Sequence, residues 1–147
     1  MPRIDAKAGF TLIEMMAVMT IVALIASLSI TMIPGSGRSA LKAVAMDSMA
    51  LLRRERLGAI LTGRERHVSL DAKRRLLVGE GGNKVVIPAD INVDILGEDA
   101  VWSGRQAVAL FHADGASSGA VVRFSREKLE YEIRVDWYTG SVAVEAR

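Results

Sequence analysis

Gly9-Phe10-Thr11-Leu12-Ile13-Glu14 stands where a short leader carrying Arg3 and Lys7 meets a long apolar run. Between Phe10 and Ile33, Glu14 is the only ionisable side chain. About 20 apolar residues span a bilayer, so the run is long enough to do so with some tilt. A carboxylate inside such a segment costs roughly 2.5–3.5 kcal/mol on insertion and therefore calls for a partner. The junction supplies one. If the chain is cut after Gly9, Phe10 carries a new α-amine one helical turn from Glu14, and so does Phe10 of any neighbouring copy.

Other readings of the junction place the cut elsewhere or have none. An ordinary secretory signal has its small-residue cleavage site after the apolar region. Ala6-Lys7-Ala8 lies on the wrong side of it, while a cut at Ala26-Ser27-Leu28-Ser29 would release a soluble domain. A plain signal anchor is the third reading, with Glu14 tolerated near the membrane edge. Flanking charge does not set the orientation, because Arg3 and Lys7 before the run are nearly cancelled by Arg38 and Lys42 after it.

Pro34-Gly35-Ser36-Gly37 ends the apolar run. A proline can kink a helix while its neighbours satisfy the freed carbonyl. Beyond it a second helical stretch is predicted from Ala40 to Leu61, with Ser39 as N-cap and Thr62-Gly63 as the stop. Its apolar face is read as Leu41, Val44, Ala45, Ser48, Leu51, Leu52, Leu57, Ile60 and Leu61. The charge run Arg53-Arg54-Glu55-Arg56 is read as a solvated face, with contact to a neighbouring subunit as the alternative.

After Gly63 the period changes from helical to two. His67–Leu70 and Arg75–Val78 flank Asp71-Ala72-Lys73-Arg74 as a hairpin, and Gly79–Asn83 turns the chain into Lys84–Ile87, which Pro88 stops. Ile91, Val93 and Ile95 alternate with polar residues, and Gln106–Phe111 and Ala120–Ser125 bracket a loop. Leu129, Tyr131, Ile133, Val135 and Trp137 alternate with Glu130, Glu132, Arg134 and Asp136, the pattern of a half-buried antiparallel strand with Trp137 in the core. Val142–Val144 closes the set. The expected fold class is α+β: a long N-terminal helix, its first half membrane-spanning, packed through its second half on a small antiparallel β-sandwich. The chain divides as 1–9 leader, 10–33 membrane and assembly helix, 34–62 amphipathic continuation and 63–147 β-rich domain.

Composition bounds the chemistry. In 147 residues there is no cysteine and the formal net charge is only +2, which gives no thiolate metal site and no basic, aromatic-interleaved surface for nucleic acid. His67 and His112 lack metal-ligand spacing. His112, Asp114 and Ser117 or Ser118 name the atoms of a hydrolytic triad, but neighbours in one loop hold a nucleophile, base and orienter poorly. Gly79–Gly82 lacks the Lys-Ser/Thr of a phosphate loop. No catalytic, metal or cofactor site is expected, and the chain is read as a non-enzyme.

The leader charge, Gly9, Phe10, the Glu14 spacing and the apolar run together resemble the class III signal of type IV pilins and pseudopilins. Phe111-His112-Ala113-Asp114-Gly115-Ala116-Ser117-Ser118-Gly119 resembles the Phe…Asp-Gly-x-Ser-x-Gly segment of H-type minor pseudopilins of type II secretion systems. Val135-Asp136-Trp137-Tyr138-Thr139-Gly140-Ser141-Val142 is similar to their closing Val-Asp-Trp-x-Thr-Gly-x-Val. Ala120 stands where that family often has glycine. The resemblance implies that a prepilin peptidase cuts after Gly9 and methylates Phe10, and that Glu14 sets register in the assembled filament. It implies a single-pass inner-membrane protein, N-terminus cytoplasmic and C-terminal domain periplasmic, which then enters a periplasmic pseudopilus near its tip. The implied partners are the other minor pseudopilins, the major pseudopilin, the prepilin peptidase, the inner-membrane assembly platform and membrane lipid. Two alternatives stay open: a minor pilin of a type IV pilus, and a signal-anchored periplasmic enzyme or ligand-binding protein.

Overall fold

The computed structural model describes residues 11–30, 37–96, 101–102 and 104–147. The chain forms two compact units, residues 1–34 and 35–147. In the first, helix α1 runs Leu12–Ile30. Leucine, isoleucine, methionine and alanine dominate it, and Thr11 caps it: the Glu14 amide donates to the Thr11 carbonyl at 3.1 Å and to its Oγ1 at 3.3 Å.

In the second unit, helix α2 spans Gly37–Thr62. It begins two residues before the expected cap, so Ser39 lies inside the first turn. It stops at the expected place, where Gly63 takes φ +63° as the left-handed residue after the helix. Nine strands follow: β1 Arg66–Asp71, β2 Leu76–Gly79, β3 Lys84–Val86, β4 Asn92–Leu96, β5 Val101–Trp102, β6 Arg105–Phe111, β7 Ala120–Arg126, β8 Leu129–Val135 and β9 Val142–Ala146. They build two sheets, β3-β2-β1-β6-β5 and β4-β7-β8-β9, in which every pairing is antiparallel. Short β5 is the strand that the alternation pattern did not predict.

Both sheets pack on α2, which buries Leu41, Val44, Ala45, Ser48, Leu51, Leu52, Glu55 and Ala59. These are joined by Val68, Leu77, Phe111, Val122, Phe124 and Ile133 in one core. Each fully buried Leu, Ile or Phe contributes about 1.5–3 kcal/mol, so a helix face meeting two sheet faces suffices for a domain of this size. The α+β class, with a helix packed on two small antiparallel sheets, is the observed architecture. The junction at 31–36 lies outside the described residues.

Three local expectations are corrected. Leu57, Ile60 and Leu61 are exposed, because the buried stripe continues through Glu55 and Ala59, and at 100° per residue that turns Leu57 away from the sheets. Glu55, read as part of a solvated charge run, is fully buried. Trp137, read as core, is 69% exposed, because β8 ends at Val135 and Trp137 belongs to the turn beyond it.

Candidate assembly site

Of the residues assigned to processing and register, Gly9 and Phe10 lie outside the described residues. Glu14 occupies the first turn of α1, where its negative charge also complements the helix dipole. The described side chains of α1, Leu12 to Ile25, are all exposed. Among its large apolar residues, exposure runs from 50% at Val18 to 82% at Leu12. The helix is apolar on every side, a composition stable only when buried in protein or lipid. Among the described residues, no helix is long and apolar enough to cross a membrane, and the expected span from Phe10 to Ile33 extends past them at both ends.

The charge run of α2 is the second feature, and its four side chains go to four places. The Arg53 Nη2 donates to the Val142 carbonyl on β9 at 2.8 Å, and the Arg54 Nη1 donates to Asn83 Oδ1 at 2.8 Å. The Arg56 Nε donates to the Gly115 carbonyl at 3.1 Å. Buried Glu55 accepts from the Gly81 amide at 3.1 and 3.2 Å and pairs with the Arg66 Nη1 at 3.3 Å. The glycine-rich turn after β2 is shaped for that carboxylate, since a Cβ on Gly79 would lie 2.4 Å from Glu55 Oε1. One turn of helix thereby fastens both sheets and the 111–119 loop. A charged run inside an amphipathic pattern carries no mark of this; the nearest sequence signal is Gly79-Glu80-Gly81-Gly82, glycines enough to admit a side chain from elsewhere.

The two C-terminal motifs form a single unit in space. In the first, Asp114 Oδ1 accepts from the Ala116 amide at 2.9 Å, an Asx turn that leads into Gly115 at φ +89°. The Ser117 Oγ donates to the Asp136 carbonyl at 3.0 Å, and the Ser117 amide donates to the Trp137 carbonyl at 3.0 Å, joining the first motif to the second. In the second, Asp136 Oδ1 accepts from the Tyr138 and Thr139 amides at 3.1 and 2.7 Å and from the Thr139 hydroxyl at 2.8 Å. Those bonds, led by the Thr139 amide, hold the Asp136 carboxyl below its ordinary pKa. Gly140 meets Gly115 backbone to backbone: a Cβ on Gly140 would lie 2.0 Å from the Gly115 carbonyl. Above this locked base Trp137 and Tyr138 stand exposed, edge to face with ring centroids 5.7 Å apart.

Each group of the conceivable triad is hydrogen-bonded to a partner outside it or to nearby backbone. His112 Nδ1 lies 2.9 Å from Glu65 Oε1, Asp114 is engaged by Ala116, Ser117 by Asp136 and Gly119, and the Ser118 Oγ by the Leu110 amide. The His67 Nδ1 lies 3.4 Å from Glu80. Among the described residues there is no group of three or more metal-ligating side chains. On the outer face of the second sheet, Glu132 is buried between Arg123 and Arg134, and the hydrogen bond from Arg134, then that from Arg123, lowers its pKa.

Comparison with known proteins agrees with these features. Residues 4–30 match the prokaryotic N-terminal methylation motif. The chain is 33% identical over 140 residues to type II secretion system protein H of Xanthomonas campestris pv. campestris, covering 91% of this chain and 80% of that protein. Its fold is similar to that of the minor pseudopilin EpsH from the type 2 secretion system of Vibrio cholerae (TM-score 0.57, 16% identity, 71% of this chain and 95% of that one). It is equally similar in fold to the type IV minor pilin FimU of Pseudomonas aeruginosa (TM-score 0.58, 14% identity, 76% of this chain and 92% of that one).

Proposed function

The chain belongs to the type II secretion system protein H family, and on that premise we propose how its two units serve a pseudopilus. It is a minor pseudopilin, a structural subunit of the secretion filament, and its N-terminal motif fits processing by a prepilin peptidase. The observation that carries the mechanism is α1: apolar on every exposed side, with one carboxylate in its first turn. The peptidase cuts between Gly9 and Phe10 and methylates Phe10. The apolar segment through Ile33 holds the subunit in the inner membrane with its C-terminal domain in the periplasm. On extraction, the helices of neighbouring subunits replace lipid around it.

Glu14 pairs with the methylated Phe10 amine of a neighbour. Only one axial offset between helices closes that pair, so it sets register. A buried pair of this kind contributes more to specificity than to net stability. The partners are the major pseudopilin and the other minor pseudopilins, near the filament tip, with the inner-membrane platform driving extraction. The protein itself carries out no catalysis.

The test is the N-terminal mass of the membrane-bound protein from cells with and without a prepilin peptidase. A chain starting at methylated Phe10 only when the peptidase is present supports the reading. A Met1 start in both strains, or a cut near Ser29, overturns it. The fold is shared with a type IV minor pilin, so a deletion strain is then scored for secretion and for twitching. Loss of twitching with intact secretion would reassign the filament.

A further inference from the structure

Charge in the second unit is sorted by end. The Arg126 guanidinium packs on Gly37, the first residue of α2, where a Cβ would lie 2.6 Å from its Cζ. It also pairs with Asp90 at 2.8 Å. The segment carrying Asp90 is held by Arg75, which donates to the Ile87, Pro88 and Ile91 carbonyls. Arg75 closes the β1–β2 turn, where Asp71 Oδ1 accepts from the Arg74 amide at 3.0 Å and Asp71 Oδ2 lies 3.8 Å from Arg105 at the start of β6. This is the end at which the chain enters the domain from the apolar segment, and the antiparallel strands return to it at every second turn. Arg38 and Lys42 in the first two turns of α2, Lys73 and Arg74 on the β1–β2 turn and Lys128 on the β7–β8 turn are all exposed here. None of them forms an ion pair among the described residues. Of the nearby acids, Asp71 and Asp90 are engaged as above, which leaves Glu127, with Asp47 and Asp94 further along their elements. A basic first turn opposes the α2 dipole, so folding alone disfavours Arg38 where it stands. At the opposite end the described turn residues include Glu65, Glu80, Asp114 and Asp136, with Arg64 their one arginine and no lysine.

We infer that the basic end of the domain docks on the anionic phospholipid headgroups of the membrane that holds the apolar segment. This rests on the membrane-anchored reading above and adds a ligand class to it. Placement selects the occupant. Each basic side chain beside an anionic bilayer strengthens the contact about fivefold, and the attraction fades within about 10 Å at moderate salt. The end at which the chain leaves the apolar segment is covalently tethered to that surface, whereas an acidic soluble protein has no such tether. Cations spread over three separate elements also suit an extended charged surface better than one small anion. Lysine and arginine stems are long enough to reach headgroups while the turns stay in water. The contact holds the resting subunit's domain on the bilayer and is broken when the subunit is extracted.

The chain has no cysteine, so one introduced thiol is a unique handle. The full-length protein carries a fluorophore on exposed Ala72→Cys or, at the opposite end, on exposed Ala113→Cys. It is reconstituted in vesicles of phosphatidylcholine, alone or with about 30% phosphatidylglycerol, each containing a headgroup nitroxide that quenches a nearby dye. Quenching at position 72 should rise with phosphatidylglycerol and return to the phosphatidylcholine level at about 0.5 M salt, while position 113 responds to neither. Lys73→Gln/Arg74→Gln/Lys128→Gln should lower the ratio of docked to free domain about a hundredfold and erase the rise, with the thermal midpoint unchanged. Equal quenching at position 72 in the two lipids, or a rise that salt leaves intact, overturns the inference. So does an equal rise at position 113. In isolated inner membranes, a benzophenone on the same position 72 thiol that couples to an acidic protein in place of lipid overturns it too. Each sample is also floated with its vesicles. Protein that floats without lipid-dependent quenching leaves the anchored reading standing, whereas protein that floats with neither composition removes both.

Discussion

Glu55 is where the packing of this domain can be tested most sharply. Its side chain is fully out of solvent, bonded to the Gly81 amide and paired with Arg66, whose side chain is about a quarter exposed. Glu55→Ala removes the acceptor of a charge-assisted hydrogen bond, an interaction worth about 1.5–3 kcal/mol. It also strands Arg66. Breaking a buried pair costs about 3–5 kcal/mol, but Arg66 can rehydrate, which places the sum near the lower bound, about 3 kcal/mol. For a domain of this size each kcal/mol shifts the melting temperature by about 4 °C, so a fall of about 12 °C is expected. Glu55→Gln retains an acceptor for Gly81 and should lose about half as much. The assay is thermal unfolding of the full-length protein in detergent, followed by far-UV circular dichroism, with Glu80→Ala as the exposed-pair control at about 1 kcal/mol or less. A fall in Glu55→Ala no larger than the control's would refute the claim that this carboxylate anchors the helix to the first sheet.

Gly140→Ala forces a Cβ onto the Gly115 carbonyl at φ +64° and should cost more than the about 1–2 kcal/mol of left-handed strain alone. Gly63→Ala, at φ +63° with nothing within 4 Å, should cost only that strain; equal losses in the two variants would count against the backbone contact. Trp137→Ala should move the midpoint by no more than an ordinary surface change, about 0.5 kcal/mol, whereas a core tryptophan would lose about 3–5 kcal/mol in the same denaturation experiment. Asp136 and Glu132 have folded-state pKa values below those of the unfolded chain, so their stabilisation is complete above about pH 4–5 and disappears as pH falls through the folded values. Melting temperature should therefore be flat from neutrality to about pH 5 and drop below it, and Asp136→Asn should show a shallower acid limb. An unchanged limb in that variant would exclude Asp136 as a contributor.

Much of the architecture was legible from hydrophobic period alone. A helix of period 3.6 and strands of period two are local statements, and the hairpin from Asp71 to Arg74, the stop at Gly63 and the strands around Phe111, Phe124 and Ile133 all stand where those periods place them. The expected junction at Gly9 and Phe10 is equally local, a short linear segment that lies outside the described residues. What period could not supply is which face of α2 meets which sheet, since Leu57 and Leu61 are as apolar as Leu51 and Leu52. Nor could it show that a carboxylate in a run of arginines lies buried against glycines more than twenty residues away, or that two motifs of the C-terminal half close on one another through Ser117, Asp136, Gly115 and Gly140. Desolvation is decided by neighbours in space. Thus the sequence by itself determined most of the elements, the apolar N-terminal segment and the family resemblance. The tertiary structure alone decided which charges are fastened, which aromatic residues stand free and which side of α2 is left exposed.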